Sequence, residues 1–204
     1  MMNKSAQPSA ESSAVLDHSD ARWQRLHEII KMRSLKLGDF VLSSGRSSTY
    51  LFQLRQTTML PEGAALIAEI IVEYMKAEAI KCIGGLEMGA VPIVAATAVI
   101  SHVKHYPIEA FFVRKATKEH GARERIDGHL RDGAEVLMID DVATTGDSIL
   151  RAIEGIGEYQ CRVCRALTIV DREEGAAANL AAHGIALAAI FKRSDFPEIA
   201  GARS

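Results

Sequence analysis

Val136-Leu137-Met138-Ile139-Asp140-Asp141-Val142-Ala143-Thr144-Thr145-Gly146-Asp147-Ser148-Ile149-Leu150 is the stretch from which the fold of this 204-residue chain is read. A short apolar run ends in two acids, crosses a Thr/Gly turn and reopens as a helix, the pattern of a buried strand feeding a helix. Four more apolar runs, at 80–83, 108–113, 163–170 and 185–191, join the one at 135–139, with helices expected over 91–103, 148–159 and 174–183. Strands alternating with crossover helices predict an α/β fold with a central, mainly parallel sheet flanked by helices. In such sheets ligands gather at the carboxyl ends of the strands, so the loops after these runs are where chemistry is expected.

Upstream, Trp23, Leu26, Ile29 and Ile30 lie at helical spacing within 21–34, with Asp20 as the N-cap. Short strands at 40–42 and 50–54 around a Ser-rich turn predict a small hairpin, or hood, inside 21–60. Pro61 opens an amphipathic helix carrying Leu66, Ile67, Ile70, Ile71, Tyr74 and Met75. Residues 1–20 are rich in Ser and Ala without apolar periodicity and read as a loose tail before one domain, 21–204.

Composition bounds the function. Apolar residues make up 48% of the chain and charged residues 25%, with 24 Lys plus Arg against 26 Asp plus Glu. That balance disfavours nucleic-acid binding driven by bulk charge. No signal-peptide core and no membrane-length apolar run is present. The sparse, odd set Cys82, Cys161 and Cys164 suits a reducing compartment, so a cytoplasmic location is expected. Cys161 and Cys164 have C-x-x-C spacing but lack a second pair, so they read as packing residues.

Two loops carry the chemistry. After 135–139, hydroxyls and backbone N–H groups at a helix start form a phosphate cradle, while adjacent carboxylates accept hydrogen bonds from sugar hydroxyls or steady a cation. A plain N-cap needs one Ser or Asp and leaves the second acid and the other small residues unexplained. The second loop, 114–133, holds six Arg or Lys, four Asp or Glu and two His. A polar segment that long reads as a mobile lid whose cations neutralise a leaving group.

The acid-acid-Val-x-Thr-Thr-Gly-x-Ser motif resembles the phosphoribosyl pyrophosphate (PRPP) site of type I phosphoribosyltransferases. Arg114-Lys115-x-x-Lys118-x-His120-Gly121 is similar to the catalytic loop of the orotate phosphoribosyltransferases in particular. Three more stretches resemble that family: Ser44-Gly45-Arg46-Ser47-Ser48-Thr49-Tyr50 in the hood, Gly84-Gly85-Leu86-Glu87-Met88-Gly89 after the first core strand, and Asp171-Arg172-Glu173-Glu174-Gly175. The resemblance implies a type I phosphoribosyltransferase fold and transfer of ribose 5-phosphate from PRPP to orotate in pyrimidine (UMP) biosynthesis. It implies that Asp140 and Asp141 hold the ribose hydroxyls, and that Val142, Ala143, Thr144, Thr145, Gly146, Asp147 and Ser148 surround the 5-phosphate. Arg114, Lys115, Lys118 and His120 then meet pyrophosphate, with Lys118 the most critical for rate. Thr144, Arg172, Leu51 and Phe52 meet orotate; an Arg suits a planar carboxylate because its fork can bind both oxygens.

The same resemblance implies Mg2+ coordinated mainly by PRPP oxygens and water, with no protein metal cage, and a homodimer sharing the lid between subunits. Partners are then PRPP and orotate, with no nucleic acid and no membrane. Many members carry Lys where Ser43 and Gly89 stand and a small residue where Asp147 stands, so PRPP contacts near Ser43 and Gly89 are expected from backbone alone. Two other readings share part of this pattern. A phosphoribosyltransferase for another base is opposed by Arg172 and the lid motif. A PRPP-sensing regulator is opposed by the intact lid cations and a net charge of −2.

Overall fold

The computed structural model describes residues 8–41, 47–115 and 125–201. Its main sheet has seven strands in the order β1-β9-β8-β7-β4-β5-β6: β1 (Ser13–Ala14), β4 (Cys82–Gly84), β5 (Glu109–Val113), β6 (Ile126–Gly128), β7 (Glu135–Ala143), β8 (Arg162–Asp171) and β9 (Ala186–Lys192). All neighbours run parallel except β6, which turns back antiparallel along β5. The five apolar runs thus form β4, β5, β7, β8 and β9. A separate antiparallel pair, β2 (Leu35–Val41) and β3 (Ser47–Phe52), makes the hood.

Helices cover both faces because the strands alternate their side chains between two apolar layers. On one side α1 (Ala21–Arg33), α3 (Pro61–Ala77) and α4 (Ala90–Val103) bring Leu26, Ile67, Ile71 and Ile93 onto Leu137, Ile139, Leu167 and Ile169. On the other, α5 (Asp147–Gly155) and α6 (Ala176–Ala182) pack Ile149, Ala152, Ala177 and Leu180 onto Val136, Met138, Ala166 and Leu187. Asp20 caps α1, its carboxylate accepting from Arg22 N at 2.8 Å, and Pro61 sits in the first turn of α3. No helix among the described residues is long and apolar enough to cross a membrane.

Four segments differ from the expectations. The loose segment foreseen through residue 20 does not describe Ser13–Ala14, which pair with Ala188 and Ala189 on the edge of β9. Trp23 anchors the same region: its indole N–H donates to Ile190 O at 3.0 Å, and His18 and His27 both stack on it at centroid distances of 4.3 and 5.0 Å. The loop foreseen over 114–133 contains β6, whose Ile126–Gly128 pair with Val113, Phe112 and Phe111. A short helix, α2 (Arg55–Thr58), follows the hood, and α7 (Glu198–Gly201) follows a 3₁₀ turn at Arg193–Asp195.

Register places the chemistry. Asp140 lies beside Thr168, Ala143 beside Asp171, and Asp171 beside Lys192, so the ends of β7, β8 and β9 are level. The loops leaving these strands rise on the same side as the hood.

Candidate functional site

The end of β7 gathers the expected residues around one cavity. About 800 Å³ in volume, it is lined by Asp140, Asp141, Val142, Thr144, Thr145, Gly146, Asp147 and Ser148, together with Leu51 and Phe52 of the hood, Lys115 and Arg172. A neighbouring cavity of about 590 Å³ shares Asp140, Asp141, Val142, Ser148 and Lys115 and adds Arg55 and the Leu86-Glu87-Met88-Gly89 loop. Gly146 makes the turn possible: its φ of 83° is left-handed, a conformation that costs a residue with a Cβ and lets α5 start at Asp147.

Asp140 is only 8% exposed. Its Oδ1 accepts from Asp141 N at 3.0 Å, and Asp141 Oδ1 accepts from Val142 N at 2.9 Å. Burial, reinforced for Asp140 by the charge of its neighbour, pushes both carboxyls above the ordinary aspartate range, while Arg55 pulls Asp141 back down. The nearby Ser148 hydroxyl favours the charged form of Asp140. Two adjacent, poorly solvated carboxylates of this kind are strong acceptors for hydroxyl donors or a hard cation.

Above the pair lies the loop after β4. A Cβ on Gly89 would stand 2.7 Å from Asp141 Oδ1 and 3.1 Å from Asp140 Oδ1. In this chain the glycine lets the loop approach the acids this closely, and a side chain there would require a local shift. Glu87 on the same loop accepts from Lys115 N at 2.8 Å, tying it to the stem of the following segment.

Arg172 leaves the end of β8 5% exposed. Its Nε donates to Glu174 Oε1 at 2.8 Å, its Nη2 to Ser48 Oγ at 3.3 Å, and its guanidinium carbon lies 4.4 Å from the centre of the Tyr50 ring. This ion pair with Glu174 sits in a largely buried setting between hood and sheet, where charge-assisted bonds are stronger than on a surface.

Not every expected residue faces the cavity. The Ala143 side chain is buried in the sheet core, and only its carbonyl works nearby, accepting from Arg172 N at 2.9 Å. Arg114 is turned to Asp127 on β6, Nε to Oδ2 3.1 Å, and does not line either cavity. Lys118, His120, Ser43, Ser44, Gly45 and Arg46 lie outside the described residues. Two cations were not foreseen. Arg151 sits one turn after Ser148 on α5, a spacing that points it to the same side, whereas Arg55 on α2 carries no motif. Among the described residues no three His, Cys, Asp or Glu side chains are grouped to hold a metal ion.

Comparison with known proteins agrees with this geometry. The phosphoribosyl transferase domain family matches residues 54–182. An orotate phosphoribosyltransferase of Bradyrhizobium sp. is 48% identical over 176 residues, covering 84% of this chain and 95% of the relative. The crystal structure of Mycobacterium tuberculosis orotate phosphoribosyltransferase in complex with PRPP superposes with a TM-score of 0.71 at 32% identity, covering 85% of this chain and 98% of that one. The orotate phosphoribosyltransferase of Aeropyrum pernix gives a TM-score of 0.71 at 28% identity, over 86% and 99%. With an acid pair and phosphate cradle at the end of β7, a hood over them and relatives of this similarity along most of its length, the chain belongs to the phosphoribosyltransferase family, among the orotate phosphoribosyltransferases.

Proposed function

We propose that the protein transfers the ribose 5-phosphate of PRPP to orotate, releasing pyrophosphate and orotidine 5′-monophosphate for UMP synthesis in the cytoplasm. The observation that carries this reading is the single cavity in which Asp140, Asp141, Thr144, Thr145, Gly146, Asp147 and Ser148 meet Leu51, Phe52 and Arg172. Substitution at the anomeric carbon through a cation-like sugar needs no covalent nucleophile; positioning and electrostatics do the work. Asp140 and Asp141 accept from the ribose hydroxyls. The turn from Thr144 to α5 offers hydroxyls and N–H groups to the 5-phosphate, and Arg151 lies within the same lining. Arg172 and Thr144 face the orotate edge, with backbone at Leu51 and Phe52 closing over it. Lys115, with Lys118 and His120 of the lid, meets the diphosphate; Arg114 acts at the stem.

The donor set suits Mg2+. Asp140 and Asp141 bring hard carboxylate oxygens to the linings of both cavities, and these would face an ion coordinated mainly by diphosphate and water oxygens. When bound, the ion neutralises the leaving diphosphate. We further propose a homodimer in which one subunit's lid serves the other's site.

The test follows orotate absorbance with PRPP, in wild type, Lys118→Ala and Arg172→Ala, with and without Mg2+. Metal-dependent loss of orotate that collapses in both variants is expected; wild type that binds PRPP yet consumes no orotate would overturn the assignment. Mixing Lys118→Ala and Arg172→Ala chains should restore activity in heterodimers if the lid crosses between subunits, and no recovery at full exchange would refute that sharing.

A further inference from the structure

Arg172 is held by a second, adjacent element of the structure, and the nature of that hold assigns a role to a residue outside the cavity linings described above. Three contacts fix the guanidinium. Glu174 Oε1 accepts its Nε at 2.8 Å, Ser48 Oγ accepts its Nη2 at 3.3 Å, and the Tyr50 ring lies 4.4 Å beneath its central carbon. The acceptor is itself held, because the Tyr50 hydroxyl donates to the same Glu174 Oε1 at 3.2 Å. One carboxylate oxygen therefore joins the recognition loop after β8 to the hood strand β3. The guanidinium plane is set by contacts from both.

An Arg side chain carries about 2 kcal/mol of rotamer entropy, and a receptor that orders it beforehand does not lose that on binding. A guanidinium this buried also needs its N–H donors met by acceptors in the free protein. Glu173, next in the chain, is not such an acceptor. Its backbone is left-handed, φ 57°, and its carboxylate is turned away, accepting from Ser194 N at 2.9 Å and Ser194 Oγ at 3.1 Å with Arg193 Nε at 3.7 Å. The two neighbouring glutamates thus have separate tasks: Glu173 fastens the loop to the turn after β9, and Glu174 faces the hood.

We infer that Glu174 is a positioning residue for base recognition, aligning Arg172 through its Nε and tying that alignment to hood strand β3 through Tyr50. The inference rests on the reading of Arg172 as the orotate-binding residue. What matters is the acceptor geometry, so a glutamine, whose amide oxygen can take the same two donors, should largely substitute, whereas an alanine should not.

The experiment measures KM for orotate and for PRPP separately in wild type, Glu174→Ala, Glu174→Gln, Tyr50→Phe and Arg172→Ala, with a thermal melt of each. Loss of one charge-assisted bond corresponds to roughly a tenfold weakening. Glu174→Ala is expected to raise the orotate KM by about that factor and the PRPP KM by less than about twofold. Glu174→Gln should recover most of the orotate affinity. If Glu174→Ala melts below the assay temperature, Tyr50→Phe takes its place: it keeps the ring under Arg172 and removes only the hydroxyl that anchors Glu174, and a selective rise in orotate KM is again expected. Equal rises in both KM values, an unchanged orotate KM, or a glutamine variant as impaired as alanine would overturn the inference. Arg172→Ala separates the role of Arg172 from that of Glu174. If it leaves the orotate KM unchanged, the assignment of Arg172 itself fails; if it raises that KM while the Glu174 and Tyr50 variants do not, only the role of Glu174 fails.

Discussion

Replacing Gly89 with alanine tests whether the acid pair is held in place by the loop above it. The backbone at Gly89, φ −60° and ψ −45°, is one that alanine adopts readily. Conformational entropy of the unfolded chain alone would then favour the variant by about 0.4–1 kcal/mol. Sterics oppose it: the new methyl stands 2.7 Å from Asp141 Oδ1 where ordinary contact begins at 3.4 Å, a retreat of about 0.7 Å. Retreat of either carboxylate weakens a hydrogen bond, since Asp140 Oδ1 accepts from Asp141 N and Asp141 Oδ1 from Val142 N. Overpacking of this kind costs about 1–3 kcal/mol, leaving a net loss near 1 kcal/mol. For a chain of this size that lowers Tm by about 2–4 °C.

The larger effect falls on turnover. A displacement of about 1 Å at groups that position a substrate costs on the order of a hundredfold, so kcat/KM for PRPP should drop by about ten- to a hundredfold. Gly157→Ala is the matched control, because its Cβ meets no atom within 4 Å. Steady-state kinetics and melting curves of the two variants decide. A Gly89→Ala protein with the Tm and kcat/KM of Gly157→Ala would refute the claim that the acids of this chain are packed too closely against the loop to admit a methyl group.

Three further outcomes are expected. Asp140 titrates above its ordinary range in the folded protein, so the native state binds more protons than the unfolded chain and stability falls as pH rises through that window; Asp140→Asn should therefore raise Tm at neutral pH, with the gain shrinking as pH drops below the ordinary carboxylate range, and a gain independent of pH would contradict this. Burial pushes the Cys82 thiol up to about 12, whereas Cys164 is exposed, so a thiol reagent at pH 8 should mark Cys164 and leave Cys82 untouched until denaturant is added; equal labelling rates by mass spectrometry would disprove it. Deleting residues 1–14 removes the pairing with Ala188 and Ala189, and the urea midpoint should fall by the equivalent of about 1–2 kcal/mol; an unchanged midpoint would mean that β1 does not secure the sheet edge.

The sheet was legible from sequence wherever a strand was long and apolar. Val136 and Met138 face one helical layer and Leu137 and Ile139 the other, so β7 is apolar on both sides and stands out as an unbroken run. β1 and β6 were not legible, because two or three residues of mixed character carry no periodicity and pair only because β9 and β5 offer them an edge. At the site, the residues legible in advance belong to loops where several functional groups follow one another, as from Asp140 to Ser148. Arg55 arrives alone on a four-residue helix, and nothing local marks it. Arg114 was legible as a cation but not in its orientation, which is decided by Asp127 on a strand that the sequence did not reveal.

The chain contains one tryptophan, and its surroundings give that residue a use beyond packing. Trp23 is stacked with the imidazoles of His18 and His27 and hydrogen-bonded to the β9 backbone at Ile190. His18 belongs to the segment that leads from β1 into α1. Undocking of that segment unstacks His18 from the indole and wets one of its faces, changing the emission of the sole ultraviolet-excited indole fluorophore. The protein thus carries an intrinsic optical gauge of its amino-terminal edge, readable without a label and separable from any signal generated at the catalytic end of the sheet.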